Sequence, residues 1–159
     1  MKLFIAVALV ILPGWLMTNF DLTGPSSLFQ SALLEAQVQT INLQSEKEAI
    51  LIATNQQRVR KHLPVLKQDS KLMQAAQQYA ELMAAKDQMS HTLNGLSLVD
   101  KAKGVGYSFK QLSENIALNT RLDGRSVVID QWMESKGHRK NLLTKDITDI
   151  GIGVAGSSK

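Results

Sequence analysis

Hydrophobic positions along this chain follow a helical period in the middle and a strand period near the end. From Asp69 or Ser70 to about Lys86, apolar residues recur every three or four positions, which predicts an amphipathic helix. These apolar positions are Leu72, Ala75, Ala76, Tyr79, Leu82 and Met83. Within residues 150–154, isoleucine and valine instead alternate with glycine, a pattern typical of a strand with a closely approaching neighbour. Helices followed by a late strand indicate an α+β fold with helices stacked on a small sheet.

An earlier helix is predicted to open the folded domain. Ser45 and Glu48 have the spacing of a capping box, so the helix should begin there and end near Lys61. Pro64 then prevents its continuation. The predicted inward positions are Ala49, Ile52, Ala53 and Val59, and the predicted outward positions are Arg58, Arg60 and Lys61. A shorter helix is expected over residues 96–103.

A further helix is predicted just before the last strand. Ser126 is a suitable N-cap, and Gly137 suits the left-handed position that ends a helix. The predicted inner face carries Val128, Ile129, Trp132 and Met133. Trp132 is therefore expected in the core, and His138 is expected just past the helix end, where side chains often face a cleft.

The N-terminal segment predicts export. Lys2 precedes an apolar run from Leu3 to Leu12, as in the charged and apolar regions of a signal peptide. Residues 1–17 are thus interpreted as a signal peptide, or as an N-terminal anchor if it is not cleaved. Residues 18–44 are interpreted as a stem or linker, and residues 45–159 as one folded domain. We expect an extracellular or cell-envelope location, with membrane contact only through an uncleaved anchor.

Composition narrows the classes of function. The chain of 159 residues has no cysteine, which excludes disulfides, thiolate metal sites and cysteine nucleophiles. Its net charge is +4, but the basic residues are scattered, so we expect no nucleic-acid partner. The P-loop motif and the Gly-x-Ser-x-Gly elbow are both missing from the sequence, so no catalytic residue is identified by motif.

Two histidines are candidates for binding chemistry. His91 and His138 each follow a predicted helix, and together with Glu114 they could hold Zn²⁺ with an open position for water. Taken alone, each histidine is more often a hydrogen-bonded structural residue, and Glu114 is more often an exposed carboxylate or one in the first turn of a helix. His62 lies in a loop beside Lys61 and is interpreted as solvated.

Four motifs in order give the chain a clear resemblance. They are Ser90-His91-Thr92, Ser113-Glu114-Asn115-Ile116-Ala117, the stretch from Trp132 to Leu143, and Ile150-Gly151-Ile152-Gly153-Val154. The opening helix with Asn55 and Arg58, followed by residues 63–66, also fits. The chain resembles the CAP superfamily of cysteine-rich secretory, antigen 5 and pathogenesis-related 1 proteins, whose shared unit is the SCP domain. The cysteine-free composition is similar to the bacterial, SCP-like extracellular type.

This resemblance implies a fold and a site. The implied fold is an α-β-α sandwich, with a small and mostly antiparallel sheet between helices. The implied cleft contains His91, Glu114, His138 and a second acid, and binds Zn²⁺ or another divalent cation through His91 and His138. Ser135 stands where family members have the second acid. Glu134 is one residue away, and on a helix its side chain would be rotated by about 100° from that of position 135. Family members also continue past the last strand, so the sheet is expected to lack its final strand.

Two classes of function follow from the resemblance. The first is a secreted or surface-tethered, non-enzymatic SCP domain. Its cleft would bind a lipid, a wall component or a partner at the cell surface, with a divalent metal as an optional ligand. The alternative is a metal-assisted hydrolase that acts on peptide or cell-wall material. Without a sound second carboxylate there is no obvious general base beside a metal, which favours binding.

Overall fold

The computed structural model of the protein describes residues 2–8, 27–119 and 123–156. The helices are α1 (Ser27–Arg60), α2 (Ser70–Lys86), α3 (Leu98–Gly104), α4 (Gly124–Ser126) and α5 (Lys136–Leu142). A π-helical segment, Val127–Trp132, continues directly from α4. The strands are β1 (Lys2–Ala8), β2 (Lys67–Gln68), β3 (Leu112–Leu118) and β4 (Asp149–Ala155).

The interpreted leader and stem are only partly described. Residues 9–17 of the leader and residues 18–26 of the stem lie outside the described residues. In the parts of the chain that the structure describes, no helix is both long and apolar enough to cross a membrane.

The strands form a sheet in the order β2-β4-β1-β3. Every described pairing is parallel: β1 with β3, β1 with β4, and β2 with β4. The expected α+β class is confirmed, but the expectation of mostly antiparallel pairing is wrong for these strands. The reason lies in the connections, because helices lie along the chain between the two members of each described pair, and parallel strands need such long crossover connections.

The N-terminal strand lies inside the sheet. Lys2 of β1 is in register with Leu112 of β3 on one side and with Asp149 of β4 on the other. The sheet was expected to lack a strand after the glycine-containing strand β4. Here β1 fills the position next to β4, and the two-residue strand β2 borders β4 on its other side.

Two hydrophobic cores lie on opposite faces of the sheet. On β4, Ile150, Ile152 and Val154 face the first core, and Ala155 faces the second. The first core also contains Ile50, Ala53, Leu66, Ala117, Val127, Val128, Trp132, Leu142 and Ile147. The second also contains Leu72, Ala75, Ala76, Tyr79, Ala80, Met83, Ala84, Leu93, Ala102, Tyr107 and Ile116. Strand alternation thus separates the helices into two layers, as an α-β-α sandwich requires.

The glycines of β4 allow α2 to pack directly on the strand. A Cβ atom on Gly151 would lie 2.2 Å from backbone atoms of Leu72, and one on Gly153 would lie 2.1 Å from the backbone of Ala76. These distances leave no room for a side chain, so the predicted close backbone approach is confirmed. The predicted helix α2 is also confirmed, with Asp69 as its N-cap accepting from Lys71 and Leu72.

Helix α1 begins earlier than the sequence predicted. Ser45 lies inside the helix, so the expected capping box is wrong, and Glu46 instead accepts a hydrogen bond from the backbone of Gly124. The helix phase also differs from the prediction: Ile52 and Val59 are more than half exposed, and Arg58 is fully buried. Asn55 and Arg58 on this side of the helix find partners in the loops that α1 covers, which an apolar pattern does not reveal.

Arg58 joins two loops to α1. Its Nε donates to the carbonyl of Pro64 at 2.8 Å, and Nη1 donates to Leu142 and Thr144 at 2.8 and 2.9 Å. Nη2 donates to Ile147 at 3.5 Å. All four described acceptors of the guanidinium are backbone carbonyls, and burial lowers the pKa of Arg58 below its ordinary value.

The segment around Trp132 also differs from the prediction. Asp123, rather than Ser126, caps its start by accepting from the Ser126 backbone. Val127 and Trp132, both fully buried, would lie about 140° apart on an α-helix, and the wider π-helical turn brings them to one face. Gly137 does not end this helix, because a new helix, α5, starts at Lys136.

Candidate functional site

His91 and Glu114 form a hydrogen-bonded pair. His91 lies in the loop after α2, which ends at Lys86 with Asp87 in the left-handed conformation. Its Nδ1 is 2.8 Å from Oε2 of Glu114, a residue of β3. The His91 side chain is 55% exposed, whereas that of Glu114 is only 3% exposed. A buried carboxylate therefore holds one nitrogen of an imidazole that is more than half exposed.

Lys101 is the hydrogen-bond partner of the second carboxylate oxygen of Glu114. This lysine of α3 donates from Nζ to Oε1 of Glu114 at 2.7 Å, and to the backbone carbonyl of His91 at 2.9 Å. Its ammonium also lies 3.1 Å from the centre of the Tyr79 ring, a cation–π contact. Burial lowers the pKa of Lys101, while the hydrogen bond and charge of Glu114 act in the opposite direction. Both oxygens of Glu114 thus have cationic or N–H partners.

His138 lies beside this pair, in the first turn of α5 rather than past a helix end as predicted. Burial lowers its pKa below the ordinary value of 6.5, and the charge of His91 lowers it further. The backbone carbonyl of His138 accepts from Asn115, the residue after Glu114, so α5 adjoins the strand that carries the carboxylate. The described residues His91, Glu114, Lys101 and His138 are together called the histidine site.

A pair of asparagines fixes the position of α5 against β3. Asn115 donates to the backbone carbonyl of His138 at 3.1 Å, and its own side-chain oxygen accepts from Asn141 at 2.9 Å. Asn141 also donates to the carbonyl of Glu114 at 3.1 Å. These bonds connect the backbone of the carboxylate residue to the helix that carries the second histidine.

The other predicted candidates take smaller parts in the described geometry. Ser135 is half-buried just before α5, and its hydroxyl makes no capping hydrogen bond to that helix. Glu134 is exposed. His62 is exposed in the turn after α1 with a positive φ of 55°, as its interpretation as a solvated loop histidine requires.

The histidine site offers the implied metal two imidazoles, because Glu114 is engaged by Lys101 and His91. Zn²⁺ sites use three or four protein ligands, and here two imidazoles would be joined only by a carboxylate that Lys101 and His91 already occupy. Within the described residues, no group of three histidine, aspartate or glutamate side chains is arranged to hold a metal ion. Binding of Zn²⁺ through His91 and His138 stays a prediction.

The arrangement can instead orient an imidazole. An ionised carboxylate only accepts hydrogen bonds, so Nδ1 of His91 is the donor of this bond, and in the neutral imidazole Nε2 keeps its lone pair. That nitrogen can accept a hydrogen bond or a proton from a bound molecule. The same carboxylate–histidine pair serves binding sites and general bases alike.

Sequence reasoning proposed the two histidines and Glu114 as site residues, but it did not single out Lys101 or the supporting Asn115 and Asn141. For Lys101 a signal was present, because it shares one face of a helix with apolar neighbours at positions 98, 102 and 105. A lysine on an otherwise apolar face indicates a buried partner. The asparagines lie within the quoted motifs, but their mutual hydrogen bond depends on the three-dimensional structure.

Comparison with known proteins identifies relatives of this domain. The family model described as CAP, Cysteine-rich secretory protein family, matches residues 51–159. An uncharacterized membrane protein of Bacillus subtilis, YlbC, is 38% identical over 72% of this chain and 32% of its own length. An uncharacterized B. subtilis protein, YkwD, is 34% identical over 70% of this chain and 43% of its own length. The chain therefore spans less than half of these curated relatives.

Solved structures give the same result. An extracellular protein containing an SCP domain, from Bacillus anthracis, is 32% identical with a TM-score of 0.65, over 70% of this chain and 37% of that one. An outer surface protein of Borrelia burgdorferi shares the fold, at 24% identity and a TM-score of 0.60, over 67% of this chain and 77% of that one. The match to the family model, the relatives and the fold agree: this chain belongs to the CAP family.

Proposed function

We propose that this protein is an exported CAP domain that binds a ligand of the cell envelope through its histidine site, without catalysing a reaction. The observation that carries the proposal is the pair of His91 and Glu114, which are 2.8 Å apart. It fixes an exposed imidazole with one free nitrogen, next to a second histidine on α5. Such a site suits recognition of a ligand that donates hydrogen bonds.

Export is supported by the relatives and by the sequence. One structural relative is described as extracellular, another as an outer surface protein, and a curated relative as a membrane protein. The apolar segment after Lys2 provides a candidate export signal in this chain. A ligand at that location would be a wall polymer, a lipid headgroup or a surface protein.

The hydrolase remains the second candidate, and the His91–Glu114 pair is the observation that favours it. An imidazole oriented by a carboxylate is the arrangement of a general base. The metal-assisted form is less well supported, because the carboxylate of Glu114 is already held by Lys101. A screen of wild-type protein and the His91→Ala variant against peptide and wall substrates separates the candidates. Turnover lost in the variant would favour the hydrolase.

Sedimentation tests the binding proposal. Wild-type protein is mixed with purified peptidoglycan sacculi, or with phosphatidylglycerol vesicles, and the bound fraction is measured. We expect binding to one of these, and its loss in both His91→Ala and His138→Ala. The matched control is His62→Asn, an exposed histidine outside the site at a position with positive φ that asparagine tolerates. Equal behaviour of all four proteins would contradict the proposal.

A further inference from the structure

We propose that Lys101 is a built-in counter-ion that sets the specificity of the histidine site. Its ammonium takes the place that a divalent cation would have beside Glu114, so the site receives an uncharged ligand rich in hydroxyl or amide donors rather than a metal ion. This inference rests on the proposed function, because it concerns the ligand of the same site.

The first step of the argument is that both oxygens of Glu114 are already engaged. Oε1 accepts from Lys101 at 2.7 Å, and Oε2 lies 2.8 Å from Nδ1 of His91. Lysine and glutamate are both only 3% exposed at their side chains. A buried carboxylate with a buried ammonium is already neutralised, and an arriving divalent cation would meet repulsion from Lys101 at close range.

The second step is that Lys101 is held in place by more than its charge. Its ammonium donates to the carbonyl of His91 and lies over the Tyr79 ring. Tyr79 is itself fixed, because its hydroxyl donates to the carbonyl of Ser90 at 2.7 Å and accepts from the backbone of Leu93 at 3.0 Å. The lysine therefore cannot leave the carboxylate without giving up three interactions in a buried setting.

The third step concerns the ligand. Since Nδ1 of His91 is the donor to Glu114, Nε2 of the neutral imidazole is an acceptor, on a side chain that is 55% exposed. With Glu114 neutralised by Lys101, the site offers acceptors and no unbalanced negative charge. Hydroxyl and amide groups, which are abundant in wall glycans and peptides, are donors of the matching kind. Lys101 thereby acts as a positioning residue, through Glu114, rather than as a group that touches the ligand.

Zinc titration by calorimetry tests this inference, with Lys101→Met as the main variant. Methionine keeps the length of the side chain but removes the charge, which leaves Glu114 free to ligate. We expect Zn²⁺ affinity to rise between about 10-fold and 100-fold over wild type. Mutation of a residue that holds a metal ligand typically changes metal affinity by a factor of this size. The double variant Lys101→Met/Glu114→Gln should lose this gain.

The matched control is Lys103→Met, which removes an exposed charge from the same helix and should leave zinc affinity at the wild-type value. A folded Lys101→Met protein that binds zinc no more tightly than wild type would overturn the proposal. So would a gain of equal size in Lys103→Met, since that would reflect net charge alone.

A second measurement needs no folded variant. Nitrogen-15 NMR of the wild-type imidazoles near pH 7.5 reports which nitrogen of His91 carries the proton. We expect Nδ1–H, and an Nε2–H tautomer would overturn the inference even if Lys101→Met fails to fold. These readouts are independent of the sedimentation assay. If no variant differs from wild type in sedimentation, but the tautomer and the rise in zinc affinity are as expected, the proposed ligand binding is rejected and the role of Lys101 stands.

Discussion

Trp132 combines a buried aromatic ring with a hydrogen bond to a neighbouring strand. Trp132 is fully buried in the first core, and its Nε1 donates to the carbonyl of Ile116 at 3.2 Å. It therefore joins the π-helical segment to β3, the strand that carries Glu114. The sequence predicted its burial, because tryptophan recurred in phase with neighbouring apolar residues.

Trp132→Ala should unfold the domain rather than change only the site. Truncation of a buried tryptophan to alanine lowers the free energy of unfolding by about 3 to 5 kcal/mol. This is a large share of the roughly 5 to 15 kcal/mol by which a typical domain is stable. The urea midpoint followed by circular dichroism measures the effect. Val59→Ala, at a position 58% exposed, is the control and should leave the midpoint nearly unchanged. An unaltered midpoint for Trp132→Ala would show that its burial contributes little.

The titration of His138 gives a second prediction at this scale. Its folded pKa is lowered, first by burial and then by His91. The unfolded chain therefore binds a proton more readily, and stability is lost as pH falls through the ordinary value of 6.5 toward the lowered pKa. NMR titration should place the His138 midpoint below 6.5. His91→Gln should raise that midpoint, whereas His62→Asn should not; a midpoint indifferent to His91 would refute the coupling.

At the scale of elements, the packing of α2 on β4 depends on two glycines. A Cβ at position 153 would lie 2.1 Å from backbone of α2, and backbone cannot move aside as a flexible side chain can. Gly153→Ala should therefore lower the urea midpoint strongly. Gly137→Ala is the matched control, because nothing lies within 4 Å of its Cβ and it sits in α5. That change should stabilise by roughly 0.5 to 1 kcal/mol, and a similar loss in both variants would contradict this account.

The elements that sequence predicted well are those with one dominant signal. Helix α2 has an apolar face and an aspartate cap, and β4 has strict alternation, so both were identified. Helix α1 was misjudged because its buried face includes Thr54, Gln57 and Arg58, and the arginine satisfies carbonyls of loops distant in sequence. The π-helical turn and the separate start of α5 were missed, since their apolar spacing resembles that of one ordinary helix.

The candidate site residues with a clear sequence signal were also the ones that the sequence predicted. Motif order placed His91, Glu114 and His138 together, because these residues carry the family resemblance. The spacing of the motifs does not reveal the partner of Glu114, since Lys101 reaches this strand residue from helix α3. Its place on the apolar face of α3 was the available clue.

At the scale of the whole molecule, the parallel sheet was not predictable from local pattern. Strand direction depends on how the helical connections pass over the sheet, and β1 comes from the segment interpreted as an export signal. The same residues 2–8 thus have two interpretations, one as a strand between β3 and β4 and one as part of a leader.

Fractionation of cells that express a C-terminally tagged chain tests the leader. We expect the protein outside the cytoplasm, because Lys2 and the following apolar run can engage the export machinery. Deletion of residues 1–17 should retain it in the cytoplasm. Cytoplasmic recovery of the full chain with Met1 intact would refute export. N-terminal sequencing of the exported form also determines whether residues 2–8 remain available to the sheet.

The Arg58 junction has a consequence for the environments that the domain can tolerate. Ordinary ion pairs weaken in acid, because their carboxylates become protonated, and at high ionic strength, because mobile ions screen them. The described acceptors of Arg58 are the carbonyls of Pro64, Leu142, Thr144 and Ile147, which do not titrate. Arginine likewise keeps its proton throughout the physiological range. The loops that flank α1 and α5 are therefore joined by a contact that depends little on acidity and salt, a property that would serve the proposed export.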